Sequence, residues 1–269
     1  MKYASYILFS AVAPAAVPLR GFPYNFGTSL AFLRGLWRLK RSLNAGAWRG
    51  PEPLPNPLDI ARLGEIYSRT AAFYDGIVAE KQAGPKLEAL RQLDRRPGER
   101  FLEVGVGTAW AFARVIEASG AREVYGVDVA PGMLEVARVT LADRGFSAPL
   151  LLADGRQLPF ADETFDCLLN TYTFEVLATP DIGPLLAECL RVLRPGGRIA
   201  VVNLTDGEGD DAAMTDEWKR RYEDDPEFFG GARPLHLRPM IEAHGFERVA
   251  RTYIGPDWPS EVLVAYRPD

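Results

Sequence analysis

Cysteine and histidine are scarce, with two of each in 269 residues. Cys167 and Cys189 sit in apolar stretches without ligand-like spacing, so neither a disulfide framework nor a metal site is expected, and both thiols are read as buried and reduced. A long apolar run is lacking too. The uncharged stretch between Lys2 and Arg20, YASYILFSAVAPAAVPL, is too short and too broken by proline for a membrane span, which needs roughly 20 apolar residues. Acid is missing from the first part of the chain: Met1 to Pro51 holds seven cations (Lys2, Arg20, Arg34, Arg38, Lys40, Arg41 and Arg49) and no Asp or Glu. Setting those seven aside leaves 24 cations against 36 acids, a balance of -12. So acidic a body argues against a nucleic-acid partner, because a phosphate backbone requires a basic surface.

The basic, apolar start and the Pro-rich linker PEPLPNPL divide the chain into an N-terminal extension, residues 1–57, and a main domain, residues 58–269. From Thr28 to Trp48, Leu30, Leu33, Leu36, Trp37 and Leu43 alternate with Arg34, Arg38, Lys40 and Arg41. Such a basic amphipathic stretch suits a helix lying on an anionic membrane surface, a peripheral contact through residues 1–50. It equally suits an arm packed on the body or on a second copy in a homodimer. The body reads as cytoplasmic. Ala11-Val12-Ala13 offers a signal-peptide-like cleavage site, and the acid-poor, Arg-containing start also has the composition of an organelle transit peptide.

Beyond the linker, Ile60, Leu63, Tyr67, Ala71 and Tyr74 form a helical stripe with Asp59 able to cap it, and a second helix is expected from about Val78 to Leu93. Apolar runs at 100–104, 123–128, 149–153, 165–169 and 198–203 then read as buried strands, with helices at 110–119, 131–143 and 181–193 between most of them. That alternation predicts an α/β fold: a doubly wound, mostly parallel, seven-stranded Rossmann-like sheet. A helix at 234–244 and two adjacent apolar runs, 246–254 and 261–266, predict an antiparallel hairpin at the sheet edge.

The stretch RFLEVGVGTAW, residues 100–110, is a strand running into a glycine turn and a helix. Glycine at 105 and 107 lets the backbone approach a ligand without a β-carbon in the way. The dinucleotide fingerprint G-x-G-x-x-G would require its third glycine at Trp110, where an indole is a poor substitute for close pyrophosphate and helix packing. In the alternating form E-x-G-x-G-x-G, the last position is Ala109, the smallest available replacement.

ExGxGx(G/A), YGVDVAPGMLEVAR, LLADGRQLPFADETFDCLLN and ECLRVLRPGGRIAVVN together resemble the successive motifs of the class I S-adenosylmethionine-dependent methyltransferases, over roughly residues 67–267. The resemblance implies S-adenosyl-L-methionine as cofactor and methyl transfer as the reaction. It implies that Glu103 accepts a hydrogen bond from the ligand ammonium, that Gly105 and Gly107 make the close turn, that Asp128, beside Val129, accepts from the ribose hydroxyls, and that Asp154 and Gly155 meet the adenine. Met133 and Leu158 are candidates to sandwich that ring. Asn170 lies at the end of the fourth strand, where the family places both cofactor contact and chemistry, and Pro195-Gly196-Gly197 is read as a structural turn.

The stretch YSRTAAFYD, Tyr67 to Asp75, resembles the helix that closes over the cofactor in the quinone and phospholipid methyltransferases. Tyr67, Tyr74 and Tyr172, with Phe73 and Phe174, are the aromatics expected near the sulfonium, Phe73 facing the core. No dedicated base stands out; His236 and His244 are the titratable candidates. The C-terminal pattern RP, AHGF and PSEV looks like the lipid- and quinone-methylating branch, so a small or lipid-like acceptor, a phospholipid amine or a quinone precursor, is expected. A nicotinamide-dependent oxidoreductase and a catalytically silent cofactor-binding partner subunit are the rival readings.

Overall fold

A computed structural model describes residues 52–256 and 258–269. The readings of residues 1–50 as a membrane-surface, targeting or packing segment lie outside the described residues. The Pro-rich stretch is fastened to the body at its far end: Arg233 Nε donates to the Leu54 carbonyl at 2.6 Å, and Asn56 Nδ2 to the Val176 carbonyl at 2.6 Å.

Helix α1 runs unbroken from Ile60 to Leu93, capped by Asp59, whose carboxylate accepts from the Arg62 amide at 2.8 Å. Two helices were expected here. Gly76 and Pro85 lie inside this single helix, and its packing on β4, β5, β7 and the helix Pro131–Ala142 overrides their weak helix propensity. After it come β1 (Phe101–Val104), α2 (Trp110–Ser119), β2 (Val124–Asp128), α3 (Pro131–Ala142), β3 (Leu150–Leu152), β4 (Phe165–Thr171), α4 (Thr179–Val192) and β5 (Leu193–Leu204). The chain closes with α5 (Ala212–Asp224), α6 (Arg238–Ala243), β6 (Glu247–Ile254) and β7 (Ser260–Tyr266).

The seven strands form one sheet in the order β3-β2-β1-β4-β5-β7-β6. β1 to β5 run parallel, and β7 and β6 add antiparallel pairs at one edge, as the sequence pattern predicts. β1 and β4 are neighbours although α2, β2, α3 and β3 separate them in sequence, so the strand order reverses between them; in such sheets ligands bind beyond the carboxyl ends at that switch point. Alternation along β1 sends Leu102 and Val104 into one core layer and Phe101 into the other, where Ala89 and Leu93 of α1 and Phe112 of α2 cover it. Glu103 points to the same face as Phe101, and that places it under the second half of α1.

Two local departures from the sequence reading have physical causes. The helix expected at 234–244 shrinks to α6, because Pro239 sits in its first turn and the chain before it pairs with β5 through Leu235 N–H to the Leu204 carbonyl at 2.9 Å. α5 was not expected at all: it buries only Thr215 and Tyr222 and so shows no apolar stripe.

Candidate functional site

The glycine turn is built from alternating left-handed residues. Gly105, Gly107 and Ala109 take φ of +74°, +54° and +65°, so the spacing of small residues in E-x-G-x-G-x-A is the spacing at which the backbone reverses hand. A β-carbon at Gly105 would lie 2.1 Å from Thr173 Oγ1, which together with its positive φ strongly favours glycine there. Ala109 caps α2 in this conformation while fully buried.

Three carboxylates stand at the ends of successive strands. Asp128 ends β2 and is held from two sides, accepting from Gly107 N–H at 2.8 Å and Ala130 N–H at 2.9 Å. These bonds fix its orientation, and Ala130 rather than Asp128 is the capping residue of α3. Burial raises its carboxyl above the ordinary value even against those amides. Asp154 follows β3, accepts from Arg156 N–H at 2.9 Å, and pairs with the Arg156 guanidinium, which also reaches Asp181 at 2.6 Å. A β-carbon on Gly155 beside it would meet Leu185 Cδ1 at 2.8 Å and Val104 Cγ1 at 3.0 Å, so a side chain there requires Leu185 to shift. Glu103, on β1, is 1% exposed, and its Oε2 has no hydrogen-bond partner among the described residues. Burial pushes this carboxyl up to about 8, with Lys86 pulling the other way.

These groups line one cleft of about 930 Å³, part of it open to solvent. It takes in Tyr67, Tyr74, Glu103, Gly105, Gly107, Asp128, Val129, Met133, Asp154, Gly155 and Tyr172, all picked out by sequence. α1 closes one side. Thr108 Oγ1 donates to Asp75 at 2.8 Å, Gly132 N–H donates to Ser68 Oγ at 3.2 Å, and a β-carbon at Gly132 would strike the Ser68 backbone at 2.5 to 2.9 Å. The Tyr67 phenol donates to the Gly230 carbonyl at 3.2 Å, and the Tyr172 phenol pairs with Ser260 Oγ at 2.7 Å. Burial raises the Tyr67, Tyr74 and Tyr172 hydroxyls well above the ordinary range, so all three stay protonated.

Several expected site residues fall elsewhere. Asn170 is completely buried within the sheet, and its Nδ2 donates to the Val104 carbonyl at 2.9 Å; it ties β4 to β1 rather than lining the cleft. His236 also lies off the cleft and is engaged by Asp206 at 2.7 Å, which raises its basicity. His244 packs its Nδ1 on the Met240 carbonyl at 2.7 Å. Leu158 and Phe174 are buried core residues outside the cleft, and Phe73, expected in the core, is 51% exposed.

Two charged residues escaped the sequence reading. Lys86 lines the cleft from α1, 8% exposed, its ammonium 5.7 Å from the Trp110 ring centroid and 5.6 Å from that of Tyr172. Its signal was present in sequence as a cation one turn from Ala89 and two from Leu93 on a core-facing stripe. Glu175 follows β4, 2% exposed, with Oε2 unpartnered among the described residues and its carboxyl raised by burial to about 8. Nothing in its local sequence distinguishes it from a solvated acid.

This arrangement has counterparts. A family model described as a methyltransferase domain matches residues 101–197. The chain is 35% identical over 151 residues to the ubiquinone/menaquinone biosynthesis C-methyltransferase UbiE of Burkholderia mallei, covering 54% of this chain and 60% of that relative. For the protein of the same name in Bordetella avium the identity is 32% over 163 residues, 58% of this chain and 62% of the relative. The chain therefore spans about half to three fifths of the length of the curated relatives it matches. In fold it is similar to the [4+2]-cyclase SpnF, at a TM-score of 0.65, 18% identity, and coverage of 81% of this chain and 99% of that one. It is also similar to phosphoethanolamine N-methyltransferase 2 of Haemonchus contortus with S-adenosylhomocysteine and phosphomonomethylethanolamine, at a TM-score of 0.60, 15% identity, and coverage of 77% and 61%.

Proposed function

We propose that this protein, in which a methyltransferase domain is matched over residues 101–197, is a class I S-adenosylmethionine-dependent enzyme that transfers the cofactor's methyl group to a small or lipid-like acceptor. A phospholipid amine or a quinone precursor is favoured. The observation that carries this reading is the buried, unpartnered Glu103 carboxylate aimed into a cleft that also holds Asp128 and Asp154. Such a cleft draws a cationic ligand and repels a phosphate-bearing one. Dinucleotide binding for an oxidoreductase is further disfavoured by Trp110 at the first position of α2.

The residues fit the cofactor. Glu103 accepts from its ammonium, the Gly105–Gly107 backbone lies against it, Asp128 presents fixed oxygens to ribose hydroxyls, and Asp154 with Gly155 and Met133 serves the adenine. When bound, S-adenosylmethionine supplies an electrophilic methyl on a sulfonium. The chain's own part is positioning, which can contribute about 7–11 kcal/mol of a barrier. Tyr67, Tyr74 and Tyr172 offer aromatic faces to a cation and protonated hydroxyls as donors. Ile60, Leu63, Val176 and Leu177 add apolar walls suited to a ring or acyl chain. His236 is turned to Asp206, so the arrangement suits an acceptor that arrives as a neutral amine, which needs no strong base.

The basic residues between Lys2 and Arg49 bring the protein to an anionic membrane surface where such an acceptor is presented. Among the described residues no helix is long and apolar enough to cross a membrane. Incubation with deuterated S-adenosylmethionine and a lipid extract, followed by mass spectrometry, tests the reading. A lipid or quinone precursor carrying the intact labelled methyl supports it. Cofactor binding without label in any acceptor contradicts it and favours a silent partner subunit or a chemistry such as that of the cyclase of similar fold.

A further inference from the structure

Lys86 is a buried cation without a counter-ion in contact. Among the described residues no carboxylate lies within ion-pair distance of its ammonium, which instead faces the rings of Trp110 and Tyr172. Desolvating an ammonium is costly, and contacts with aromatic faces return only part of that cost. The deficit is visible in the lysine itself, lowered by burial to about 8 despite the acids Glu103, Asp75 and Glu175 in its surroundings. The other cation lining the cleft, Arg156, is committed to Asp154 and Asp181, and Arg114 stacks on Trp110 at 3.5 Å outside the lining. On the same face of the sheet, Glu103 carries the opposite deficit, an unpartnered buried carboxylate oxygen. A ligand that neutralises both groups must bring an ammonium and a carboxylate together.

Resting on the reading that the cleft takes S-adenosylmethionine, we propose that Lys86 binds the α-carboxylate of the cofactor's amino-acid end while Glu103 binds its α-ammonium, so that the two buried charges form a recognition site for an α-amino-acid zwitterion. Trp110 and Tyr172 hold the lysine stem and head in place between uses. The first residue of α2 is then an indole because the lysine needs a π-face, and this accounts for the departure at position 110 from the small residue of the dinucleotide fingerprint.

The test is calorimetric titration of the full-length chain and of its Lys86→Met and Lys86→Arg variants with S-adenosylhomocysteine and with its decarboxylated analogue, which keeps the ammonium and lacks the carboxylate. Methionine matches the lysine stem in length and removes a buried charge, a change that is often neutral or stabilising. The wild type is expected to prefer S-adenosylhomocysteine over the analogue by roughly ten- to a hundredfold, the range of a charge-assisted hydrogen bond. Lys86→Met is expected to abolish that preference by weakening S-adenosylhomocysteine alone, and Lys86→Arg to keep most of it. If Lys86→Met weakens both ligands alike, or neither, the proposal is overturned while the cofactor reading stands. If the wild type binds neither ligand, both fall.

Discussion

Glu103 on β1 and Lys86 on α1 are both more than nine-tenths buried, face one cleft from opposite elements, and are not in ion-pair contact. Folding without a ligand therefore leaves two desolvated ionisable groups incompletely paired, a cost that function rather than stability accounts for.

Removing the acid should separate the two. The Glu103 carboxyl rises from 4.5 to about 8 in the folded protein, so its ionisation opposes folding: the cost is absent below about 4.5 and complete above about 8. Glu103→Gln is expected to weaken S-adenosylhomocysteine binding tenfold or more. The same variant is expected to gain stability over wild type as pH rises through that window, by roughly 1–3 kcal/mol at pH 8.5. Thermal melts at pH 5 and pH 8.5 check the sign; a variant destabilised more at pH 8.5 than at pH 5 would mean that the carboxylate stabilises the fold.

The lysine should titrate in the opposite sense. Its folded value is lowered from 10.5 to about 8, so its charge costs stability below about 8 and costs nothing above about 10.5. Lys86→Met is expected to melt above wild type at pH 7, with the gap closing towards pH 10.5. A gap independent of pH would assign the effect to packing alone.

At Ala109 the expected change is small. Glycine removes the left-handed penalty of about 1–2 kcal/mol but also a buried methyl and some unfolded-state order. Ala109→Gly should lie within about 1 kcal/mol of wild type and keep its ligand affinity. A large loss of S-adenosylhomocysteine binding would show that this methyl shapes the turn.

Gly105→Ala should behave differently, because its β-carbon would overlap Thr173 Oγ1 and its φ is +74°. A loss of about 2–4 kcal/mol is expected from overpacking and strain together. Adding Thr173→Ala should recover the steric part and leave the backbone part. Chemical denaturation of the three variants gives the partition; no recovery in the double variant would place the conflict elsewhere.

The seven strand positions and the glycine turn were legible because both depend on local signals, apolar runs of strand length and small residues at alternate positions. α5 was not, since a helix with two buried residues leaves no stripe. Asn170 and His236 were misplaced for a related reason. Position at a strand end is readable, but whether an amide turns to the cleft or to the Val104 carbonyl depends on the neighbouring strand. Lys86 and Glu175 show the reverse limit: burial makes a charge chemically distinctive, and burial of a single polar residue is set by elements distant in sequence.

Membrane attachment has its own test. Removing residues 1–50 deletes seven cations, and at about 1 kcal/mol per basic residue near an anionic surface the truncated protein should no longer float with anionic liposomes. Unchanged flotation would assign any membrane contact to the body.

The most direct test of the whole account is calorimetric titration of the full-length protein with S-adenosylhomocysteine and, separately, with NADH. Saturable binding of S-adenosylhomocysteine, lost in Glu103→Gln, and no binding of NADH is the predicted result. Saturable binding of NADH with none of S-adenosylhomocysteine would contradict it.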